Sequence, residues 1–281
     1  MSCTFCCKSF CNVCVEVVIF KVCVFGQGTI PHFIDFFLRS CYTYTRIRKK
    51  EGRMQLNEFE VAEDMGFDGL KIVQDTRLYR FTSDSVLLSR FARAKNGDVV
   101  ADFCAGSGIV AFHFFALHKE KRKNLNFTLF ELQNELCALS QKTALLNGFD
   151  NFAFECGRLQ DIPEKYREKF SLILCNPPYE KAEGGFENDE YVKAICRKEI
   201  TICLKDIARA AAFALKFGGR IAMLHRADRV AEVCYTLHEH NIEVKRMQFV
   251  GGGKGKTPYL VMIEGVKGGK TACEILPTIE N

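Results

Sequence analysis

Val99-Val100-Ala101-Asp102-Phe103 runs straight into Cys104-Ala105-Gly106-Ser107-Gly108, and Ile109 through His118 follow with the length of a short helix. A short apolar run, a glycine turn and a helical stretch make one strand-turn-helix unit. Glycines there let backbone come close to a ligand, and the helix start offers free N–H groups. Dinucleotide-binding folds use the same device in a G-x-G-x-x-G pattern. Here the pattern is incomplete, because position 111 is Ala and position 104 is Cys. A tight turn alone would also explain the glycines, so the loop needs support from its surroundings.

Outward from this unit the same alternation continues. Phe127–Glu131, Phe152–Cys156, Leu172–Cys175 and Arg220–His225 read as buried strands. Between them Gln133–Asn147, Ile200–Lys216 and Arg229–His240 read as helices, the last with Asp228 as its N-cap. Such alternation predicts an α/β fold with a parallel sheet covered on both faces. Glu243–Val250 and Tyr259–Val266 flank the loop Gly251-Gly252-Gly253-Lys254-Gly255-Lys256 with no helix between them. They are expected to pair antiparallel and close the sheet.

Two further features give the glycine loop a purpose. The strand after it ends in Glu131, 23 residues past Gly108. A carboxylate at that tip can accept hydrogen bonds from both ribose hydroxyls of an adenosine-containing cofactor. A nicotinamide dehydrogenase would share both features, and a solvated acid at a strand end is the plainer alternative for Glu131. The third feature separates these readings: Leu172-Ile173-Leu174-Cys175 runs into Asn176-Pro177-Pro178-Tyr179. Two prolines stop the strand and fix the backbone, so Asn176 and the Pro177 carbonyl are expected to face the crevice. That arrangement suits methylation of a conjugated amine. An adenine N6 lone pair is delocalised into the ring, and two acceptors holding its hydrogens favour a pyramidal nitrogen aimed at a methyl donor. Tyr179 offers a face on which an extruded base can stack. A strand-terminating turn would explain Asn-Pro-Pro by itself, but not its place after a nucleotide loop and an acidic strand tip.

With these residues the chain resembles the class I S-adenosylmethionine-dependent methyltransferases that carry an N-P-P-Y motif, and among them the bacterial tRNA1(Val) (adenine(37)-N6)-methyltransferase family. The resemblance spans about residues 70–270. Beyond the loop and N-P-P-Y it rests on Gly69-Leu70-Lys71-Ile72-Val73-Gln74, Phe81-Thr82-Ser83-Asp84-Ser85-Val86-Leu87-Leu88, Ala194-Ile195-Cys196-Arg197-Lys198-Glu199-Ile200 and the Gly-Lys loop before Tyr259. It implies a Rossmann-like, seven-stranded, mostly parallel sheet with an antiparallel terminal strand and helices on both faces. It implies S-adenosylmethionine as cofactor, and as substrate the adenosine just 3′ of the anticodon, position 37, in valine tRNA. The segment like Phe81–Leu88 would help close over the methionine part of the cofactor, bringing in Phe81 and Asp84. Asp102, Cys104, Ala105, Gly106, Gly108, Glu131, Leu132, Leu159, Asp161 and Asn176 complete the expected cofactor contacts. Asn176, Pro177, Pro178 and Tyr179 are the expected catalytic group.

Two departures bear on that site. Cys104 stands where many class I enzymes have Gly. In Cys156-Gly157-Arg158-Leu159-Gln160-Asp161, Arg158 stands where related sequences have the Asp that contacts the cofactor adenine. Asp161 either takes over that contact or caps the following turn. Lys181, Arg197, Lys198, Arg226, Lys254 and Lys256 lie in loops expected near the crevice and would grip RNA phosphates, although lone surface lysines are commonly solvated charges. The acidic, Gly-rich stretch 180–191 would serve as a lid that orders on binding. Three other functions stay open. A release-factor glutamine-N5 methyltransferase uses the same motif on a planar amide, and what counts against it is the flanking segments and the lack of a separate helical recognition domain. An rRNA guanine-N2 methyltransferase usually has Phe in place of Tyr179. A non-catalytic RNA-binding module would have little use for an intact N-P-P-Y.

Bulk properties set limits only. The 281 residues suit one large domain or two small ones, and 48% hydrophobic with 26% charged residues is ordinary for a soluble enzyme. No apolar run has the length of a membrane span, and Val13–Phe25 is broken by Glu16 and Lys21. The net charge of +5 sits entirely in residues 1–53, which hold eight Lys/Arg and three Asp/Glu, while the rest is balanced at 31 of each. Charge therefore says nothing about the main body's partners. Seven of the 15 cysteines also lie in the first 41 residues. Cys3, Cys6, Cys11 and Cys14 form two C-x-x-C pairs, but the spacer between them is short for a zinc module. Residues 1–53 are expected to be an unstructured or non-native extension, with 54–281 as the methyltransferase domain. The eight remaining cysteines are scattered singly and read as reduced core residues of a cytoplasmic protein. No membrane association or stable protein partner is expected.

Overall fold

The computed structural model describes residues 55–78, 80–81, 83–178, 201–253 and 255–280. The expectations for residues 1–53, for Tyr179, Lys181, Arg197, Lys198 and Lys254, and for the 180–191 lid lie outside the described residues.

Ten strands and five α-helices are described. A hairpin, β1 (Glu60–Asp64) and β2 (Lys71–Asp75), precedes helix α1 (Ser83–Phe91). Then come β3 (Val99–Phe103), α2 (Ile109–Leu117), β4 (Asn126–Glu131), α3 (Asn134–Asn147), β5 (Phe152–Cys156) and β6 (Phe170–Cys175). After the undescribed stretch follow α4 (Leu204–Ala214), β7 (Leu215–Arg226), α5 (Val230–Glu239), β8 (Ile242–Gly251), β9 (Pro258–Lys267) and β10 (Glu274–Glu280). The main sheet has the order β10-β8-β9-β7-β6-β3-β4-β5. All neighbours are parallel except β9, which runs antiparallel to both β7 and β8. The seven expected strands are thus present and the antiparallel one is identified. It sits inside the sheet, and an eighth strand, β10, lies parallel to β8 at the edge.

The central strands β3, β4 and β6 are mostly apolar and buried along most of their length because both faces are covered. On one face Val100, Leu172, Leu129 and Phe127 pack against α1 and α2 through Leu88, Phe112 and Phe115. On the other, Ala101, Phe103, Phe130 and Ile173 meet α4 and α5 through Ile207, Ala211 and Leu237. The hairpin docks on α3: Thr143 Oγ1 accepts from Val73 N at 2.9 Å, and the Asn147 amide brackets Lys71 N and O. Two buried arginines tie the sheet to the end of α1. Arg246 donates to Phe91 O (2.8 Å) and Glu264 (3.0 Å), and Arg220 to Arg93 O (2.7 Å) and Asp98 (2.8 Å).

Three expectations need correction. Asp228 does not cap α5; its carboxylate binds Arg226 at 2.5 Å within a 3₁₀ turn, and Arg229 occupies the cap position. Helix α4 stops at Ala214 and not at Lys216, because Leu215 already pairs with Phe170 as strand β7 begins. The cysteines are not uniformly reduced core residues. Cys137 of α3 and Cys156 at the end of β5 form a disulfide, Cα atoms 6.1 Å apart, since α3 packs across β5; Cys203 and Cys273 are exposed. Among the described residues no helix is long and apolar enough to cross a membrane.

Candidate active site

The sheet reverses its order between β3 and β6: β4 and β5 extend one way from β3, β7 the other from β6. In open α/β sheets the crevice outside the carboxyl ends of such strands is where ligands bind. The loop 104–108, the Glu131 tip and Asn176 all leave the sheet at that edge.

The loop is a chain of left-handed residues, Cys104 (φ 58°), Gly106 (59°) and Gly108 (85°). Its path is held by three bonds: Ala105 N donates to Phe130 O (3.0 Å), Gly108 N to Ala105 O (2.8 Å), and Gly106 N to Glu131 Oε2 (2.8 Å). Ser140 Oγ of α3 donates to Gly106 O (3.1 Å). The two glycines differ in what surrounds them. A Cβ on Gly108 would lie 2.5 Å from Phe112 and 2.8 Å from Leu129, so this position packs α2 onto β4. A Cβ on Gly106 would meet nothing within 4 Å. The backbone there borders open space, which is what a ligand cradle requires.

Two carboxyl groups stand beneath the loop. Asp102 is buried; its Oδ2 accepts from Ala111 N (3.1 Å), while Oδ1 has no hydrogen-bond partner. Burial, with the Glu131 charge adding to it, pushes the Asp102 carboxyl up to about 8. Glu131 is also buried, and burial raises its pKa against the pull of the backbone N–H groups it accepts from. Its two oxygens take Gly106 N and Gln133 N (2.9 Å), Leu132 N adds to that pull, and the carboxylate still has lone-pair capacity to offer. Leu132 is half-buried beside it, and Leu159 is buried in a 3₁₀ turn. Asp161 is 77% exposed and faces Arg158 at 3.9 Å, so among the described residues its carboxylate caps no turn.

From the other side, Phe81 and Asp84 are half-buried at the start of α1, and Phe81 N donates to Gln74 Oε1 (3.1 Å). Asn176 follows the end of β6 and reaches α1. Its Nδ2 donates to Ser85 Oγ (3.0 Å), and its Oδ1 is buried with no partner. Pro177 and Pro178 are buried behind it. The thiol of Cys175 is buried and hydrogen-bonded to Cys104, which together hold its pKa well above the usual thiol range. Thus Asp102, the 104–108 loop, Glu131 and Asn176 stand together at the carboxyl ends of β3, β4 and β6, Phe81 and Asp84 lie at the start of α1, and the Asp161 carboxylate is exposed. Arg226 and Lys256 are exposed at the same edge of the sheet, Arg226 in its ion pair with Asp228. Ser85, Ser140 and Gln74 are additions. Gln74 and Ser85 stand in segments that carry the resemblance and Ser140 in the middle of α3, but nothing in the sequence marks which of their hydroxyl or amide groups face inward.

The model of the family described as "Methyltransferase small domain" matches residues 82–237, more than half of the chain. The chain belongs to the methyltransferase small domain family. The matched region runs from the start of α1 to α5 and contains Asp102, the 104–108 loop, Glu131 and Asn176. Within known proteins, the chain is similar to the tRNA1(Val) (adenine(37)-N6)-methyltransferase of Shewanella sediminis (strain HAW-EB3). They are 22% identical over 183 residues, 63% of this chain and 72% of that protein. It is 30% identical over 101 residues to the protein of the same name from Shewanella putrefaciens (strain CN-32 / ATCC BAA-453), 35% of this chain and 40% of the other. Among solved structures, it resembles a predicted O-methyltransferase from Agrobacterium tumefaciens, with TM-score 0.55 and 15% identity over 70% of this chain and 86% of that one. It also resembles a type I restriction-modification system methyltransferase subunit from Streptococcus thermophilus, with TM-score 0.52 and 15% identity over 72% of this chain and 47% of that one. Both likenesses are of fold.

Proposed function

We propose that this chain methylates the exocyclic N6 of an adenine in tRNA, at the adenosine of position 37 in valine tRNA. As a member of its family it takes the methyl group from S-adenosylmethionine, whose sulfonium supplies an electrophilic carbon and a neutral thioether leaving group. The crevice fits that cofactor. Open space beside Gly106, the unpartnered Asp102 Oδ1 and the spare lone pairs of Glu131 can take an aminoacyl group and a ribose. Gly106, Gly108, Cys104, Ala105, Asp102, Glu131, Leu132 and Leu159 would hold it, with Phe81 and Asp84 closing from α1.

One observation carries the choice of acceptor. Asn176 Oδ1 is buried with no donor, an arrangement that is unfavourable unless a substrate N–H completes it. On this reading Oδ1 and the Pro177 carbonyl accept the two hydrogens of an amino group and hold its nitrogen pyramidal, while Tyr179 stacks on the base. The N–C bond forms as the S–C bond breaks, and the surplus proton leaves the alkylated nitrogen for water. No strong base is needed before transfer, which agrees with a crevice whose acids are buried and raised in pKa. RNA contact is assigned to Lys181, Arg197, Lys198, Arg226, Lys254 and Lys256 through phosphates. The names of the similar Shewanella proteins favour tRNA over a release-factor glutamine or rRNA guanine. The reading has the protein at work in the cytoplasm.

The test is methyl transfer from labelled S-adenosylmethionine to unmodified valine tRNA, with adenosine 37 changed to guanosine as control. Label that needs the adenosine and digests to N6-methyladenosine is expected. Cofactor binding without label on tRNA would transfer the reading to release factor or ribosomal RNA.

A further inference from the structure

An asparagine amide is a two-faced group: one edge accepts hydrogen bonds and the other donates them. Which edge meets the substrate is decided by what binds the opposite edge. In this chain Asn176 Nδ2 donates to Ser85 Oγ at 3.0 Å, and Oδ1 is thereby left facing away, buried and without a donor. Ser85 is 4% exposed and lies in the first turn of α1, 91 residues earlier in the chain.

Helix α1 is itself firmly placed. One turn after Ser85, Ser89 Oγ lies 2.6 Å from His113 Nδ1 of α2 and donates to Val86 O (2.7 Å). At the far end Arg246 binds Phe91 O, its guanidinium 4.2 Å from the Phe91 ring centroid. Ahead of the helix Phe81 N is held by Gln74. The Ser85 hydroxyl is therefore a fixed hydrogen-bonding partner presented to the end of β6. We infer that Ser85 is a positioning residue: by holding one edge of the Asn176 amide it fixes the side chain so that the other edge, which carries the oxygen, is presented to the acceptor amine. The inference rests on the function proposed above only in taking the acceptor to be an amine.

Without the hydroxyl one edge of the amide loses its partner and the side chain is free to turn. Rotation by half a turn would set Nδ2 hydrogens against the hydrogens of the incoming amine, two donors face to face. The loss should therefore fall on the methyl-transfer step and leave cofactor binding in place.

Ser85→Ala and Ser85→Thr in the full chain test this with two measurements. In protein labelled with ¹⁵N-asparagine, the Asn176 side-chain amide, assigned by its disappearance in Asn176→Ala, is expected to have one solvent-protected hydrogen. Ser85→Ala should expose it and Ser85→Thr should retain the protection. In methyl transfer, Ser85→Ala should lower kcat tenfold or more, with acceptor KM and S-adenosylmethionine Kd within about twofold of wild type, and Ser85→Thr should recover most of the rate. An unmoved Asn176 amide, an unchanged kcat, or equal loss of cofactor binding in Ser85→Ala would overturn the inference. If the wild-type chain transfers no methyl to tRNA, it is the substrate assignment that fails, and the amide measurement still decides the role of Ser85.

Discussion

Asn176 and Asp102 are both polar groups left incomplete inside the protein, but they make opposite demands. Asn176 needs a donor for its oxygen, so Asn176→Ala should abolish turnover while isothermal titration still finds S-adenosylmethionine bound; loss of binding would make Asn176 a structural residue. Asp102 is held protonated in the folded chain up to about pH 8, whereas its ordinary value is 3.8. Folding therefore takes up a proton between about pH 4 and pH 8, and Asp102 lowers stability as pH rises through that window. In ligand-free protein, Asp102→Asn should flatten the fall in melting temperature from about pH 5 to pH 8 relative to wild type. Parallel curves would show the carboxyl ionised when folded. At this scale the sequence was informative where a residue type is chemically committed: Asn before Pro-Pro, Glu at a strand tip, Gly in a turn. It was silent where a role depends on which way a common side chain faces, as with Ser85.

Elements were legible where burial imposes a pattern. The central strands β3, β4 and β6 appear within two residues of their expected bounds, because a strand covered on both faces is largely apolar along its length; β5 has its expected bounds too, but it is the edge strand and is half-buried or exposed rather than buried. The β1–β2 hairpin and β10 were not anticipated. Both are partly exposed and alternate weakly, and each is held by neighbours distant in sequence, α3 in one case and β8 in the other. The β3–α2 junction offers a test of how one short loop divides its work. Gly108→Ala should lower the melting temperature, with a cost of about 1–3 kcal/mol, since its methyl would overlap Phe112 and Leu129. Gly106→Ala carries only the backbone penalty of about 1–2 kcal/mol and should stay folded, yet bind S-adenosylmethionine poorly because its methyl enters the open space. Comparable binding by both variants would remove the cradle role from Gly106.

At the scale of the whole chain, charge and cysteine content change near residue 53. A chain begun at Met54 should retain cofactor affinity and methyl transfer; an inactive truncation would mean that residues 1–53 take part in binding or folding. The arrangement of the sheet also has a meaning for descent. Because its order turns at β3 and β6, the groups assigned to the cofactor come from residues 81–161, apart from Asn176, while those assigned to the acceptor begin at Asn176. One half of the molecule can thus keep its donor chemistry while the other drifts toward a new clientele. The drift is not unconstrained: Arg220 and Arg246 reach back from the second half to Arg93 O, Asp98 and Phe91 O of the first. A hybrid that takes residues 176–281 from a relative with another acceptor should inherit that relative's taste only where these two arginines come with it.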